Sequence, residues 1–286
     1  MKTARIDTII TTEGYLSDHP VLITLFNCIV VKGKNVKKVN DVLPRPIEND
    51  NKYGNVFMQT SSGTTNTPKI AYRTDKNYFV DINNITTNFD YSMEDVIYCA
   101  VPIFHGYGLT MALLSSIKIG ATLVLDKWFM VNRFFSLYEV IKPTIFVGSP
   151  ESYDVINRYV DEKYMFKYRK WFFSSGSPLK ENTATKFFNN FRIWINQMYG
   201  MMEASTISAN LYPTSDNYLS VGKAIDGIDL DIINDLIMIR GEAISTHYVT
   251  PNGDELLPKV DGWFSNGDIG NFNSDSTISI LGRRKD

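Results

Sequence analysis

The sequence predicts an α/β fold in which helices flank a doubly wound, mainly parallel sheet, followed by a small β-rich subdomain. Three observations predict this class. Between residues 75 and 200, continuous apolar strands alternate with amphipathic helices, as in a parallel sheet covered on both faces. After about residue 218 the helical pattern ends, and short strands separated by Gly, Asn and Asp turns follow. A chain of 286 residues can bury the core of one long domain or of two.

Composition narrows the class of protein. The hydrophobic fraction of 44% and the charged fraction of 21% are typical of a soluble globular protein, and the formal net charge of −2 gives no electrostatic reason to expect nucleic-acid binding. Cys28 and Cys99 lie in apolar runs, which favours buried free thiols in a reducing compartment over a disulfide scaffold. The apolar run over residues 21–31 is too short to cross a bilayer, so we expect a cytoplasmic protein without a transmembrane segment.

The elements follow one another in a regular order. Short β-rich stretches alternate with polar breaks up to about residue 55, and two strands at 56–59 and 70–73 then flank a loop rich in hydroxyl groups. The pattern predicts helices at 75–89, with Asp75 as N-cap, and at 109–119, 133–141, 153–164 and 181–190. It predicts buried strands at 96–101, 121–125, 144–147, 170–173 and 192–195, and later strands at 228–233, 236–240, 263–264 and 277–281. Because ligands bind beyond the carboxyl ends of parallel strands, we expect the functional residues there.

The hydroxyl-rich loop has the sequence Ser61-Ser62-Gly63-Thr64-Thr65-Asn66-Thr67-Pro68-Lys69. Its hydroxyls and backbone N–H groups can surround the oxygens of a polyphosphate, and Lys69 supplies a compact positive charge. Spacing excludes a P-loop, because that motif ends in Gly-Lys-Ser/Thr and Lys69 follows Pro68. Taken alone, the loop also fits an ordinary Ser/Thr-rich surface turn.

Three further segments lie at the ends of predicted strands. His105 opens a helix and can hold an anionic or carbonyl group, although it also fits a half-buried histidine at a helix start. The small residues of Ser174-Ser175-Gly176-Ser177-Pro178-Leu179 can let a flat base lie against the backbone, or they form a plain β–α turn. In residues 196–203, Tyr199 can stack on a purine and Glu203 is an oxygen ligand suited to Mg²⁺, although either residue alone is more often structural.

Two segments near the end of the sequence complete the set. Asp268 lies in the segment Trp263-Phe264-Ser265-Asn266-Gly267-Asp268-Ile269-Gly270, which taken alone fits a β-turn. The last segment is Gly282-Arg283-Arg284-Lys285-Asp286, which taken alone fits a solvated basic chain end. Together, the six segments resemble those of the adenylate-forming enzymes, which include acyl- and aryl-CoA ligases, luciferases and the adenylation domains of peptide synthetases. The resemblance covers about residues 56–286.

The resemblance implies a role for each segment. Pyrophosphate is bound by Ser61, Ser62, Gly63, Thr64, Thr65 and Lys69. The rest of the nucleotide is bound by Gly176, Ser177, Pro178, Gln197, Tyr199, Gly200 and Met202, with Asp268 and Arg283 at the ribose. Mg²⁺ is held by Glu203, and the substrate carboxylate meets His105, so that His105, Lys69 and Glu203 act in catalysis.

The resemblance also implies a division of the chain. Residues 1–217 form an α/β adenylate-binding core, of which 1–55 are a shortened N-terminal segment. Residues 218–281 form the β-rich subdomain, and 282–286 form a hinge. The family's mobile C-terminal domain lies beyond that hinge and is absent from this sequence.

The implied activity is ATP-dependent activation of a carboxylic acid as acyl-AMP, with release of pyrophosphate and transfer to coenzyme A. The Phe104-His105 pair favours an acyl- or aryl-CoA ligase. The apolar residues expected near it, Tyr107, Leu109 and Met198, suit a fatty or aromatic acid. One alternative is an amino-acid adenylation enzyme that loads a carrier-protein thiol. Another is a nucleotide- or acyl-AMP-binding module without turnover, because Met202 stands where the family has a Thr that donates to the α-phosphate. The oligomeric state is open, and a homodimer is one option.

Overall fold

The computed structural model describes residues 8–11, 27–32, 35–38, 56–60, 70–126, 128–159, 165–250 and 253–284. The strands up to residue 174 are β1 Thr8–Thr11, β2 Asn27–Lys32, β3 Asn35–Lys38, β4 Val56–Thr60, β5 Ile70–Thr74, β6 Val96–Cys99, β7 Thr122–Leu125, β8 Ile145–Gly148 and β9 Trp171–Ser174. The later strands are β10 Asn196–Met201, β11 Ser205–Ala209, β12 Lys223–Ala224, β13 Asp229–Ile233, β14 Leu236–Arg240, β15 His247–Thr250, β16 Gly253–Leu256, β17 Lys259–Val260, β18 Trp263–Phe264, β19 Asp268–Phe272 and β20 Ile278–Arg283. Helices in these ranges are α1 Asp75–Asn88, α2 Gly106–Gly108, α3 Ser115–Ile119, α4 Val131–Ile141, α5 Pro150–Tyr159 and α6 Glu181–Phe191, with a π-helical turn, Leu109–Leu114, between α2 and α3.

The central sheet has the strand order β12-β11-β10-β9-β8-β6-β7. The five strands from β7 to β10 pair in parallel, and β11 and β12 extend the sheet antiparallel. Strand β6 lies between β7 and β8, so the order of the chain reverses there. Such a reversal opens a crevice at the carboxyl ends of the strands.

Helices pack on both faces of this sheet, because alternate strand residues point to opposite sides. On one face, Tyr98, Phe146 and Phe172 join an aromatic core with residues of α4, α5 and α6. On the other face, Ile97 and Val147 pack with residues of α1 and of the π-helical turn. The structure therefore confirms the predicted doubly wound, mainly parallel sheet.

Three further sheets lie in the described residues: a mixed sheet of β1, β2 and β3, and two antiparallel sheets. Strands β16, β15, β5 and β4 form one sheet in that order, so that β15 lies beside β5, the strand that follows the hydroxyl-rich loop. Strands β13, β14 and β17 to β20 form the other. The predicted boundaries at residues 217 and 281 stay predictions.

Three predicted elements need correction. The N-cap of α1 is Thr74 rather than Asp75, because the Thr74 and Asn77 side chains bond each other's backbone N–H groups in a capping box. The helix predicted from residue 153 begins at Pro150, whose fixed φ suits a first helical turn. The strand predicted at 192–195 is wrong, since the ladder with β9 begins at Asn196.

The misplaced strand has a packing explanation. Arg192 ends α6 in the left-handed conformation, and the buried Ile193 and Ile195 enter the aromatic core from a connection that belongs to no helix or strand. Their apolar alternation resembles that of a strand.

The prediction of buried free cysteines is confirmed for one of the two. Cys99 is buried and free, whereas the side chain of Cys28 lies outside the described residues. In the described ranges, none of the helices combines the length and the apolar character that a membrane crossing needs.

Candidate functional site

The hydroxyl-rich loop connects two paired strands. Strands β4 and β5 are antiparallel, with Val56 opposite Thr74 and Thr60 opposite Ile70. Residues 61–69 themselves lie outside the described residues, so the phosphate-binding roles of Ser61, Ser62, Gly63, Thr64, Thr65 and Lys69 stay predictions.

Tyr199, Asp268 and Arg283 form a hydrogen-bonded group at the end of β10. The Tyr199 hydroxyl donates to Asp268 Oδ2 over 2.6 Å, and Arg283 Nε donates to Asp268 Oδ1 over 2.7 Å. Tyr199 and Asp268 are each 9% exposed. Burial, with the Asp268 charge as the next cause, raises the pKa of Tyr199 well above its ordinary value, so the hydroxyl remains a donor. Three residues named from separate segments of the sequence therefore meet at one point.

A turn before β19 sets the position of Asp268. Gly267 has a φ of +90°, and the Asp268 N–H donates to Asn266 Oδ1 over 3.0 Å. Strand β19 then pairs with β20 so that Asp268 lies opposite Arg283. The carboxylate and the guanidinium are therefore neighbours because of strand register.

Gly200 permits the tight turn that leads from β10 to Glu203. A Cβ atom at Gly200 would lie 2.0 Å from the Ser205 carbonyl oxygen, and the ladder between β10 and β11 shifts register between Tyr199 and Gly200. Only glycine allows this approach without displacing backbone. Met202 lies in the turn, half-buried, and packs against the hydrophobic core that contains Ile97 and Val147.

Glu203 is buried at this turn and is held from two directions. Its Oε1 accepts a short hydrogen bond from the Tyr248 hydroxyl, and its backbone carbonyl accepts from the Ser245 N–H over 2.7 Å. Burial first, and then the Glu203 charge, raise the pKa of Tyr248. Sequence reasoning missed Tyr248, because a Tyr in a short strand has no local pattern that distinguishes it from a core residue.

A magnesium role for Glu203 fits its chemistry. The described residues contain no cluster of three or more His, Cys, Asp or Glu side chains suited to a metal ion. Mg²⁺ bound together with substrate phosphates needs only one or two protein carboxylates, and Glu203 supplies one. The role stays a prediction.

The predicted adenine-binding turn follows β9 and is open to solvent. Gly176, Ser177 and Pro178 are exposed, and a Cβ atom at Gly176, where φ is +95°, would meet nothing within 4 Å beyond its chain neighbours. Gln197 is buried behind the turn, where its Oε1 accepts from the Leu179 N–H over 3.4 Å and its Nε2 donates to the Tyr218 carbonyl over 3.3 Å. In this structure Gln197 supports the turn from behind.

His105 lies at the start of α2, beyond the end of β6, and is exposed. Its Nδ1 accepts from the Tyr107 N–H over 3.4 Å, so a neutral ring carries its proton on Nε2, which can donate to a carboxylate. Nearby, Thr110 Oγ1 and Ser205 Oγ share a hydrogen bond of 2.8 Å. This bond joins the π-helical turn after α2 to the strand that begins two residues after Glu203.

A buried ion pair that sequence reasoning also missed joins β5 to α1. Arg73 is fully buried in β5, and its Nη2 donates to Asp81 Oδ2 and to the Ala243 carbonyl, each over 3.1 Å. The guanidinium also lies over the Tyr78 ring, 4.3 Å from its centre. Burial raises the pKa of Asp81, and Arg73 opposes that rise. The pair joins β5 to α1 and to the segment before Ser245.

Residues 6–248 match a protein-family model described as AMP-binding enzyme. The 4-coumarate–CoA ligase 4 of Arabidopsis thaliana is 27% identical over 257 residues, which make up 81% of this chain and 45% of the relative. Marinolic acid–CoA ligase of Pseudoalteromonas sp. (strain SANK 73390) is 26% identical over 263 residues, or 80% of this chain and 40% of the relative. The chain thus spans less than half the length of these two relatives.

Solved structures share the fold. ATP-bound MatB from Rhodopseudomonas palustris has a TM-score of 0.82 at 17% identity, over 99% of this chain and 60% of that chain. MenE from Bacillus subtilis, an O-succinylbenzoate coenzyme A synthetase in complex with AMP, has a TM-score of 0.71 at 21% identity, over 79% of this chain and 49% of that chain. The inhibitor-bound N-terminal domain of FACL13 from Mycobacterium tuberculosis has a TM-score of 0.70 at 22% identity, over 80% of this chain and 60% of that chain. At these identities the likeness establishes the fold.

Proposed function

The chain belongs to the AMP-binding enzyme family, and from this premise we propose that it activates a carboxylic acid with ATP and transfers the acyl group to coenzyme A. In the first step a carboxylate oxygen attacks the α-phosphorus of ATP, the bond to the β-phosphate bridging oxygen breaks, and pyrophosphate leaves. In the second step a thiolate sulfur attacks the acyl carbonyl carbon, the bond to the AMP oxygen breaks, and AMP leaves. The curated relatives named as CoA ligases support this reaction class.

The observation that carries the proposal is the group of Tyr199, Asp268 and Arg283. Both Asp268 oxygens accept hydrogen bonds in the structure, from the Tyr199 hydroxyl and from Arg283 Nε. Each carboxylate oxygen has two lone pairs and can accept a second hydrogen bond, so Asp268 suits the two hydroxyls of a ribose. The Arg283 side chain is 62% exposed, so it can leave Asp268 for the nucleotide at little energetic cost.

The phosphate end of the nucleotide is assigned to the hydroxyl-rich loop and Glu203. Lys69 and the loop hydroxyls would hold the leaving pyrophosphate, and Glu203 would hold Mg²⁺. Bound Mg²⁺ neutralises negative charge on the phosphate oxygens. The residues themselves contribute position and electrostatic stabilisation, because phosphoryl chemistry needs little covalent help from a protein.

The adenine and the acid are assigned to the other strand ends. The exposed turn with Gly176, Ser177 and Pro178 would hold adenine together with Tyr199, and His105 would donate from Nε2 to the substrate carboxylate. We favour an aryl or fatty acid, because two relatives carry the names of 4-coumarate and marinolic acid. The exposed Phe104 beside His105 is consistent with an apolar acid.

The test is ATP–pyrophosphate exchange with a panel of 4-coumarate, benzoate, dodecanoate and phenylalanine. We expect exchange to depend on an aryl or fatty acid, and to be lost in Glu203→Gln, which keeps the size of the side chain and removes its charge. Exchange supported by phenylalanine alone would replace the proposal with amino-acid adenylation. Wild-type exchange in Glu203→Gln would remove that residue from the site.

A second candidate, a nucleotide-binding module without turnover, is favoured by Met202. A thioether donates no hydrogen bond, so Met202 cannot supply a donor to the α-phosphate. This hypothesis predicts that calorimetry detects binding of AMP or of an acyl-sulfamoyl adenosine, whereas no acid supports ATP–pyrophosphate exchange. It also predicts that Met202→Thr raises exchange above the wild-type level. Efficient wild-type exchange would exclude it.

A further inference from the structure

We propose that Tyr248 is a positioning residue for Glu203 and fixes that carboxylate relative to the paired strands that flank the hydroxyl-rich loop. This inference rests on the proposed function, in which Glu203 holds Mg²⁺. The observation is a short hydrogen bond from the Tyr248 hydroxyl to Glu203 Oε1. Each of the two residues is 7% exposed, so water competes little for this bond.

A second contact fixes the backbone of Glu203 to the same segment. The Ser245 N–H donates to the Glu203 carbonyl over 2.7 Å, and the Ser245 hydroxyl donates to the Tyr72 carbonyl over 2.6 Å. Both the main chain and the side chain of Glu203 are therefore bonded to residues 245–248.

Residues 245–248 are in turn bonded to the strand that follows the loop. Strand β15 pairs with β5 so that Tyr248 lies opposite Ala71 and Val249 opposite Ile70. Lys69, the last residue of the loop, is covalently joined to Ile70. The path from Glu203 to the end of the loop thus runs through one side-chain hydrogen bond and one strand pairing.

This arrangement has a chemical consequence for the metal. The Tyr248 hydroxyl bonds one carboxylate oxygen, so rotation of the carboxylate about its terminal bond is restrained and its orientation toward a cation is set. Mg²⁺ that is shared between a carboxylate and phosphates demands near-ideal octahedral geometry. Residues that orient a metal ligand typically change metal affinity by about 10- to 100-fold when they are mutated.

The chain offers a matched control. Tyr98 is also buried, and its hydroxyl also donates a short hydrogen bond to a carboxylate, that of Asp126. Tyr98 packs in the aromatic core on the opposite face of the sheet. Tyr98→Phe therefore removes the same group in the same kind of environment without touching the proposed site.

The experiment compares Tyr248→Phe with Tyr98→Phe in the full 286-residue chain. Mn²⁺ replaces Mg²⁺ as the probe, and the paramagnetic resonance signal of free Mn²⁺ gives its Kd in the complex with the α,β-methylene analogue of ATP. We expect Tyr248→Phe to raise this Kd about 10-fold or more, as for other residues that orient a metal ligand. Calorimetric affinity for AMP, which needs no metal, should stay within about twofold of wild type, and Tyr98→Phe should match wild type in both.

Other results would overturn the proposal. If the Mn²⁺ Kd is unchanged in Tyr248→Phe, or rises as much in Tyr98→Phe, the bond does not position the metal ligand. If Tyr248→Phe loses as much affinity for AMP as for Mn²⁺, the role of Tyr248 is purely structural. In a Glu203→Gln background, Tyr248→Phe should have no further effect on Mn²⁺, and an additional effect would contradict action through Glu203. Should Tyr248→Phe not fold, Tyr248→His, whose ring is too short to reach Glu203, is expected to weaken Mn²⁺ equally. A wild-type chain that binds neither AMP nor the Mn²⁺–nucleotide complex would instead refute the proposed function.

Discussion

Replacing Asp268 with asparagine tests the ribose assignment, because the amide keeps the shape of the side chain and removes its charge. In the structure Asp268 accepts from the Tyr199 hydroxyl and from Arg283 Nε. The amide oxygen can still accept from Tyr199. The amide NH₂ group, however, cannot accept from Arg283 or from a ribose hydroxyl.

The structure gives different magnitudes for stability and for binding. Arg283 is 62% exposed, so its ion pair with Asp268 is worth at most about 1 kcal/mol of unfolding free energy. Weakening the charged bond from Tyr199 to a neutral one adds about 1 kcal/mol. A lost charge-assisted hydrogen bond to ribose costs about 1.5–3 kcal/mol, which raises the Kd for AMP about 10- to 150-fold.

Calorimetry with AMP and urea denaturation measure these two quantities on the same samples. The control is Asp229→Asn, which removes the charge from an exposed ion pair with Arg240 of similar length, 2.8 Å, elsewhere in the β-rich part of the chain. We expect Asp229→Asn to leave the AMP Kd unchanged. An AMP Kd for Asp268→Asn within about twofold of wild type, in a variant that has lost about 1–2 kcal/mol of stability, would refute the ribose assignment.

Three further predictions follow from the packing around the site. A Cβ atom at Gly200 would lie 2.0 Å from the Ser205 carbonyl oxygen, so Gly200→Ala is expected to lower the unfolding free energy by about 3 kcal/mol. Urea denaturation measures this change, and a loss below about 1 kcal/mol would contradict the close approach. Arg73→Ala leaves the Asp81 carboxylate buried without its cation and is expected to lower the unfolding free energy by about 3–5 kcal/mol. Combining Arg73→Met with Asp81→Leu removes both charges and is expected to recover most of that loss. Equal urea midpoints for the two variants would exclude the ion pair as the cause. Burial raises the pKa of Cys99 to about 11 from an ordinary value of 9.0, so the stability that this shift provides is complete below pH 9.0 and is lost as the pH rises through 11. The urea midpoint of wild type should therefore fall relative to that of Cys99→Ala over this range, and a constant difference between the two would refute the shift.

The parallel part of the sheet could be predicted because its strands are buried on both faces. Ile97 faces one core while Tyr98 faces the other, and Phe146 and Val147 alternate in the same way. A strand that is buried on both faces has apolar residues at every position, and such a continuous hydrophobic run can be recognised in the sequence. The fold class followed from such runs and from the helices between them.

Strand β11 could not be predicted by this rule, because its buried residues include hydroxyl side chains. Ser208 is fully buried, and its hydroxyl donates to the Val221 carbonyl over 2.9 Å. Thr206 is buried as well. A Ser/Thr-rich stretch is typical of turns, and only the partner strands that satisfy its hydroxyls make it a core strand.

Strand β10 shows the same difficulty at its first residues. Asn196 and Gln197 are buried, and Asn196 accepts from the Phe172 N–H over 3.2 Å and donates to the Asn210 and Leu211 carbonyls, each over 3.0 Å. The apolar residues before them, rather than these amides, resembled a strand. Polar residues that are satisfied by distant backbone groups therefore displaced the predicted strand by several positions.

The candidate site divides along the same line between local and distant determinants. Glu203 could be named as an oxygen ligand and Asp268 as an acceptor from residue type and position in a turn, because those properties belong to the residue itself. The Tyr248 hydroxyl bonds Glu203 across 45 positions, and the Tyr199 hydroxyl bonds Asp268 across 69 positions. A residue proposed to orient another has no sequence pattern of its own, since the pairing of β15 with β5 is what brings Tyr248 into place. Groups that would contact the ligand can thus be predicted from sequence, whereas groups that orient them require the tertiary structure.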